Sequence, residues 1–215
     1  PSLLWQSDLP RGVKYHSEVE ICSIGGRPVA LVGSGLDVVS GESHMYSFNL
    51  ADGALLGARK LSASGKLRNK TSRPVLVDRN LNGQIDLVYA ADYLGSLWRM
   101  ETNNDPNPSN WSMTELYAGT EFITADPVAS YGPNGDVYIY FGSGAYLEEA
   151  DMVTTGQQSF FCIFDNHSGM TYSKRDLKNQ TKSVGSVTAD NGWYVELWSE
   201  LGERVTEQAV VVAEV

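Results

Sequence analysis

The stretch Val75-Leu-Val-Asp-Arg-Asn-Leu-Asn-Gly-Gln-Ile-Asp-Leu-Val-Tyr-Ala-Ala-Asp-Tyr-Leu-Gly-Ser-Leu-Trp-Arg-Met-Glu101 decides the fold of this chain of 215 residues. Its apolar runs Val75–Val77 and Leu87–Tyr89 are rich in the β-branched and aromatic residues that favour strands. A polar loop, Asp78–Asp86, lies between them, and a third apolar run, Ser96–Glu101, ends the stretch. This order predicts neighbouring antiparallel strands joined by a structured loop.

The loop has the residue spacing of a calcium-binding loop. Side chains that carry oxygen fall at positions 1, 3, 5 and 9, and a glycine at position 6 permits the sharp reversal of the chain. Position 7 is expected to contribute its backbone carbonyl. The spacing therefore predicts a Ca²⁺ site formed by Asp78, Asn80, Asn82, Gln84 and Asp86.

The loop departs from a complete EF-hand loop at position 12, which is Tyr89 rather than a bidentate glutamate. Only Asp78 and Asp86 bring charge, so we expect a dissociation constant of roughly 10⁻⁵ to 10⁻³ M. Magnesium fits less well because it demands near-octahedral geometry and keeps its waters. A tight hairpin turn at Asn82-Gly83 that needs no metal is the alternative, but it does not explain the spacing of the acidic residues.

The chain contains three copies of one sequence repeat. Each copy has an apolar strand that ends in small residues, followed by a strand in which aromatic residues alternate with other residues. The small residues Gly33, Ala90 and Gly142 are separated by 57 and 52 residues. Repeats of this length with four-stranded units are typical of β-propeller blades. We therefore predict an all-β fold of four-stranded antiparallel blades, in which the Gly-Ser-Gly triplets serve packing where strands converge.

Three further short runs suit inner strands: Thr71–Val77, Ile123–Ala129 and Val205–Val212. With about three blades plus flanking strands, residues 1–215 are predicted to form a single propeller domain or a fragment of one. Its remaining strands are expected from another segment of the same precursor or from another chain. Polar stretches near 103–110 and 166–191 depart from the repeat and are predicted to be loop insertions.

The charge balance argues against nucleic acid as the main partner. The chain carries 16 Lys and Arg against 26 Asp and Glu, a net charge of −10, whereas phosphate neutralisation needs clustered basic residues. No run of 18 apolar residues predicts a membrane span. The N-terminus, Pro1-Ser-Leu-Leu-Trp5, has neither an initiator Met nor a signal pattern, which indicates a processed or excised piece.

Motifs for enzyme chemistry are weak in this sequence. Cys22 and Cys162 lack the spacing of a metal or redox pair, and a disulfide between them is as compatible with the sequence as two buried thiols. The histidines His16, His44 and His167 lie on unrelated segments and are expected to be surface or loop residues. No nucleophile elbow and no phosphate-binding glycine loop are present, so no catalytic residue is predicted.

The run from Pro74 to Met100 resembles the C-terminal β-propeller of PilY-type proteins, which are bacterial type IV pilus tip and biogenesis proteins. The shared pattern is a D-x-[DN]-x-[DN]-G-x-x-D loop followed by a strand and by a final motif, which in this sequence is Gly95-Ser-Leu-Trp-Arg-Met100. Further similarity lies in Tyr138–Leu147, Gln158–Asp165 and Gly192–Leu197. Ala91 and Met100 stand where the family usually has Gly and Phe.

This resemblance implies a non-enzymatic calcium-binding propeller at the cell surface, at the pilus tip, after periplasmic export. It implies calcium at Asp78, Asn80, Asn82, Gln84 and Asp86, linked to pilus assembly, extension, retraction or surface attachment. The implied partners are minor pilins or other pilus-tip proteins. A cation that ties Asp78 to Asp86 would relieve the repulsion between two carboxylates across a short loop.

The alternative function is the propeller of a periplasmic quinoprotein dehydrogenase that uses pyrroloquinoline quinone and calcium. Its propellers carry comparable strand motifs, such as Tyr46-Ser-Phe-Asn-Leu-Ala-Asp-Gly53. The adjacent cysteine pair of many of those enzymes is missing here, as is a cluster suited to an orthoquinone. A glycan-binding propeller would rest only on the abundant Tyr and Trp, which core packing already explains.

Overall fold

The computed structural model describes residues 3–9, 17–63, 68–132, 135–182 and 191–212, and within these ranges the regular structure is β-strands and short 3₁₀ turns. The strands are β1 Val19–Ile24, β2 Arg27–Gly33, β3 Glu42–Asn49, β4 Leu55–Ala63, β5 Val75–Val77, β6 Leu87–Ala91, β7 Ser96–Glu101, β8 Ser112–Ala118, β9 Val128–Tyr131, β10 Val137–Gly142, β11 Gln158–Asp165, β12 Lys178–Asn179 and β13 Gly192–Leu197. The 3₁₀ turns cover Pro108–Asn110, Glu149–Val153 and Lys174–Asp176. No helix in this part of the chain is long and apolar enough to cross a membrane.

Three sheets account for all of these strands. The first has the order β1-β2-β3-β4 and the second β5-β6-β7-β8, so that strands adjacent in sequence are adjacent in space. The third has the order β12-β13-β11-β10-β9, in which only the β12 pairing is parallel. Antiparallel four-stranded meanders are the units of a propeller, and the all-β prediction is confirmed.

The chain divides into two compact units. One consists of Pro1–Tyr93 and Trp98–Met113, and the other of Leu94–Leu97 and Thr114–Val215. The expectation of a single propeller domain or fragment over residues 1–215 stays a prediction.

The repeat predicted most strands correctly and failed at the end of the chain. Each of the three predicted strand pairs is formed, as β2 with β3, β6 with β7, and β10 with β11. The run Thr71–Val77 contains β5, and Ile123–Ala129 overlaps only the start of β9. Near 103–110 the regular structure is one 3₁₀ turn, and the stretch 166–191 holds a 3₁₀ turn and β12. Residues 183–190 of that stretch lie outside the described residues, and the prediction that both stretches are insertions stays a prediction.

The predicted strand Val205–Val212 is wrong, because the structure forms no strand there. Val205 donates one backbone hydrogen bond to Ser143, at 3.0 Å, and Val210 and Val212 are largely exposed. A run of valines has strand propensity, but a strand forms only where a partner offers a ladder of hydrogen bonds.

The core of the first unit is aliphatic, with one large aromatic ring. Its fully packed residues lie on the first two sheets and beside them: Ile24, Val29, Leu31, Met45, Leu61, Val88, Ala90, Met100 and Trp111. The opposite face of the first sheet carries Ala30, Val32, Tyr46 and Phe48, against which Leu9 packs. Burial on both faces of a central strand is what a propeller blade requires, and it explains the continuous apolar run of β2.

The second unit is held by aromatic side chains. The Phe141 and Phe161 rings on neighbouring strands stack at 5.0 Å between centroids, and Tyr117 contacts them at 5.6 and 5.2 Å. Tyr194 adds a further ring at 6.2 Å from Phe161. Offset and tilted ring pairs at these separations add to the stabilisation from burial.

The predicted packing role of the triplet Gly142-Ser143-Gly144 is supported by its neighbours. A Cβ atom added to Gly142 would lie 2.2 Å from the Val205 side chain, and one on Gly144 would lie 2.3 Å from that of Arg204. Arg204 donates to the backbone carbonyls of Ala145 and Asp151. The glycines therefore let the segment that contains Arg204 approach the end of β10.

Both cysteines are free thiols in the structure. Burial raises the pKa of Cys162 to about 12, and burial together with the charge of Glu20 raises the pKa of Cys22 to about 12.

The thiolate is the form of cysteine that reacts with iodoacetamide. Both thiols are therefore expected to react at least about a hundredfold more slowly in the native chain than in urea at the same mildly alkaline pH. Mass spectrometry of the alkylated protein measures this. Resistance of both cysteines to alkylation in non-reducing urea would instead reveal a disulfide.

Candidate metal site

The predicted loop connects β5 to β6 and is closed at its base by a backbone hydrogen bond from Asp86 to Val77, at 3.0 Å. Within it, Leu81 and Gly83 have positive φ angles of 59° and 82°. A Cβ atom at Gly83 would meet nothing within 4 Å, so the backbone conformation, and not space, favours glycine there. Leu81 is 79% exposed, as expected for a position between ligands.

The side chains at positions 1, 3 and 5 turn back onto the backbone of the loop. The Asp78 carboxylate accepts hydrogen bonds from the amides of Asn82 and Gly83, at 3.1 and 2.6 Å. The side-chain oxygen of Asn80 also accepts from the backbone amide of Asn82, at 3.2 Å. The side-chain oxygen of Asn82 accepts from the backbone amide of Gln84, at 2.8 Å. The oxygens of Asp78 and Asn80 are thus within hydrogen-bond distance of one and the same backbone amide.

Asp86 at position 9 closes the loop from the other end. One of its carboxylate oxygens accepts from the Arg79 backbone amide at 2.9 Å, and the other accepts from the Asn80 side-chain nitrogen at 3.4 Å. Asn80 therefore contacts both the Asn82 amide in the middle of the loop and Asp86 at its end. The side chains of Asn80 and Asp86 meet in the structure, and the Asp78 carboxylate shares the Asn82 amide with Asn80, while the metal-binding role of the five residues stays a prediction.

Gln84 has a role in the structure that the sequence did not reveal. Its side-chain oxygen accepts from the Ser23 hydroxyl at 2.9 Å and from the Gly26 amide at 2.8 Å. Next to it, the Ile85 amide donates to the Ser23 carbonyl at 2.9 Å. The Gln84 side chain therefore ties the loop to the β1–β2 turn, and its backbone carbonyl is the group that would face a metal.

Thr102, at the end of β7, fixes the exit of the loop. Its amide donates to the Asp86 carbonyl at 2.9 Å, and its hydroxyl donates to the Ile85 carbonyl at 2.7 Å. Thr102 is fully buried. Nothing in the local sequence identifies this residue, because its importance depends on a contact with a segment that is distant along the chain.

The donor set suits a hard cation. It consists of two carboxylates and neutral amide and carbonyl oxygens, which are the ligands of Ca²⁺, and it contains no imidazole or thiolate. Throughout the described ranges, no group of three or more His, Cys, Asp and Glu is placed to hold a metal ion. A cation at this loop would therefore depend on Asp78 and Asp86 for its charge.

The other polar residues that the sequence singled out have structural roles. His44 is half-buried on β3 and stacks on Tyr46 at 5.8 Å, so it is not a surface or loop residue. His167 lies in a loop, within 3.4 Å of the Gly135 carbonyl, and His16 falls outside the described residues. Asp151, which with Glu148 and Glu149 forms an acidic cluster, accepts from the amides of Leu147 and Glu148 and so stabilises its own turn.

A lysine-centred network in the second unit was not predicted. Lys174 donates to the Glu121 carboxylate and to the Ser159 hydroxyl, both at 2.8 Å, and lies 4.9 Å from the centre of the Tyr194 ring. Ser143 donates to the same carboxylate. Because Ser143 and Ser159 are fully buried, no substrate reaches their hydroxyls in this structure. The network instead anchors the 3₁₀ turn at Lys174 to the strand that carries Ser159.

Comparison with known proteins gives a consistent result. The PilY1 beta-propeller domain family matches residues 25–186. Two proteins of Xylella fastidiosa (strain Temecula1), each described as a type IV pilus biogenesis factor PilY1 homolog, are 24% and 25% identical to this chain over 80% and 84% of its length. The chain spans only 14% and 16% of their lengths.

One solved structure shares the fold. It is the crystal structure of the Pseudomonas aeruginosa PilY1 C-terminal domain, which superposes with a TM-score of 0.74 at 21% identity. The match covers 90% of this chain and 53% of the solved one. At this identity the likeness establishes the architecture, and the blades seen here correspond to part of a larger domain.

Proposed function

The chain belongs to the PilY1 β-propeller family, and from that premise we propose that it is a non-enzymatic module of a type IV pilus biogenesis factor whose Asp78–Asp86 loop binds Ca²⁺. The observation that carries the proposal is the convergence of Asp78, Asn80 and Asp86 onto the backbone of one loop. Calcium at this position would offset the repulsion between the two carboxylates.

The contacts of the loop indicate what calcium would stabilise. Gln84 joins the loop to the β1–β2 turn, and Thr102 joins it to the end of β7. Calcium bound at the loop would therefore stabilise both the edge of the first sheet and the second sheet. We propose that this cation-ordered surface is recognised by minor pilins or other pilus-tip proteins, outside the cell, and that calcium thereby modulates pilus extension, retraction or attachment.

Isothermal titration calorimetry on the 215-residue chain tests the binding step. We expect a single Ca²⁺ site with a dissociation constant of roughly 10⁻⁵ to 10⁻³ M, and weaker binding of Mg²⁺. Calcium at ten times that constant should stabilise the fold by about 1.4 kcal/mol, which a thermal melt detects. Absence of both binding heat and a thermal shift at several millimolar Ca²⁺ would refute the calcium proposal.

The variant Asp78→Asn removes one of the two charges and is expected to weaken Ca²⁺ binding at least about tenfold. Asp8→Asn is the matched control, since it makes the same change of charge at an exposed aspartate outside the loop. It should bind as the unchanged chain does. Both variants are also melted in chelator, where a difference between them reports the loop hydrogen bonds of Asp78 and is subtracted from the effect of calcium.

The cellular step is tested with Asp78→Asn and Asp8→Asn in the full-length protein, by counting surface pili and measuring retraction in calcium-containing medium. We expect a defect only for Asp78→Asn. If that variant has lost calcium binding but pili are unchanged, the site is structural and the proposed control of the pilus is wrong.

A further inference from the structure

The cation loop contains an asparagine followed by glycine, Asn82-Gly83, in an exposed position. Asparagine before glycine is the sequence most prone to spontaneous loss of its side-chain amide, because glycine leaves the following backbone nitrogen unshielded. Gly83 is exposed and lies outside any strand, so the Asn82 side chain reaches this nitrogen once its single hydrogen bond to the Asp78 carboxylate opens. Sequence alone does not single out this pair, since Asn134-Gly135 and Asn191-Gly192 have the same dipeptide.

Hydrogen bonds in the loop favour the reaction at Asn82. Its side-chain oxygen accepts from the amide of Gln84, two residues on, at 2.8 Å. Because Gln84 directly follows Gly83, this bond turns the side chain toward the backbone that follows Asn82 and polarises the side-chain carbonyl. Gly83 itself donates to the half-buried carboxylate of Asp78, at 2.6 Å, and is not part of a strand ladder.

Asn191-Gly192 is held in the opposite way. Gly192 is buried and begins β13, where it is paired with Ile163 of β11. The Asn191 side chain donates to the backbone carbonyl of Asp176 at 3.3 Å. Residues in a sheet react only after local opening of their hydrogen bonds, so this pair should react slowly in the folded chain. Asn134 lies outside the described residues.

We propose that Asn82 is a site of spontaneous covalent modification, through a cyclic imide with Gly83, that changes the charge of the cation loop. The Gly83 backbone nitrogen forms a bond to the side-chain carbonyl carbon of Asn82, and the bond from that carbon to the side-chain nitrogen breaks. The side-chain nitrogen leaves as ammonia and carries away the Gly83 proton through solvent. Water then opens the ring at either carbonyl, which gives aspartate or isoaspartate, and no redox step is needed.

The two products have different consequences, and this part rests on the proposed calcium function. Aspartate at position 5 adds a third carboxylate to Asp78 and Asp86, so Ca²⁺ binding should tighten. Isoaspartate inserts a carbon into the backbone and displaces the ligands that follow it, so binding should weaken. The loop would then exist in forms of different affinity that depend on the age of the protein.

The test is incubation of the folded chain in chelator at mildly alkaline pH, followed by peptide mass spectrometry. Conversion at Asn82 is expected to be at least about tenfold faster than at Asn191, and the difference should vanish in urea, where no strand protects either pair. The variant Gly83→Ala should slow conversion at Asn82 at least about tenfold, because its methyl group shields the backbone nitrogen. Equal rates at the two asparagines in the folded chain, or no conversion at Asn82 while the unfolded chain reacts, would overturn the proposal.

A parallel incubation with Ca²⁺ separates this proposal from the calcium function. If calcium binds, it should slow conversion at Asn82 by restraining the side chain, and titration of the separated aspartate form should show tighter binding. Conversion at Asn82 that calcium leaves unchanged would contradict the calcium function while supporting the modification.

Discussion

Replacing Trp111 with alanine is expected to lower the free energy of unfolding of the first unit by about 3–5 kcal/mol, as is typical when a fully buried tryptophan is truncated. Its ring is 1% exposed and packs within the aliphatic core of that unit. Its indole nitrogen also donates to the Asp105 carbonyl at 2.6 Å, which anchors the polar insertion near 103–110. Urea unfolding followed by circular dichroism measures the change.

Two further variants give this prediction its control. Trp198→Ala removes the same side chain where it is 65% exposed, and should change the stability by no more than about 0.5 kcal/mol. Trp111→Phe keeps most of the ring but loses the donor to Asp105, and should cost about 1–2 kcal/mol. If Trp111→Ala and Trp198→Ala destabilise the chain equally, the described packing of Trp111 is wrong.

Gly192→Ala is expected to destabilise the second unit by at least about 3 kcal/mol, because it combines backbone strain with a clash that cannot be relieved. Gly192 has a φ of +117°, a conformation that alanine rarely adopts. Its added Cβ atom would lie 2.1 Å from the Cys162 carbonyl oxygen and 3.0 Å from the Ile163 Cα atom. Both atoms belong to the backbone of β11, so no side chain can move aside. Hydrogen exchange of the β11 and β13 amides should show the loss.

Gly169→Ala separates the two contributions. Gly169 also has a positive φ, of +74°, but a Cβ atom there would meet nothing within 4 Å. This variant should cost only the conformational strain, about 1–2 kcal/mol. Equal destabilisation by both variants would show that the close approach at Gly192 has no energetic weight.

The blade strands were predictable because they depend on short-range patterns. The apolar runs that became β2, β6 and β10 end in small residues at a repeat that is visible in the sequence. The spacing of oxygens in the Asp78–Asp86 loop is equally local, since neighbouring residues of one turn supply all the side chains. The structure brings those side chains together, while the assignment of calcium to them stays a prediction.

The edge strands of the sheets could not be predicted from the repeat. Neither β1, with exposed Val19 and Ile21, nor β4 stood out from the repeat, because an edge strand lacks the double-sided burial that makes a central strand apolar. The valines of Val205–Val212 misled in the opposite direction. They have strand propensity, but among the described residues they have no strand partner.

The sequence by itself determined the β class, the repeat and the spacing of oxygen-bearing side chains in the loop, because strand alternation and loop reversal are set by residues within a few positions of each other. Only the tertiary structure decided that Gln84 binds the β1–β2 turn, that Thr102 holds the exit of the loop, and that Lys174 joins Glu121 to Ser159. These contacts join segments that are far apart in the chain, so no local pattern encodes them. They form where the packed sheets place polar groups of distant segments side by side. The buried hydroxyls of Thr102 and Ser159 in particular must find a hydrogen-bond partner there.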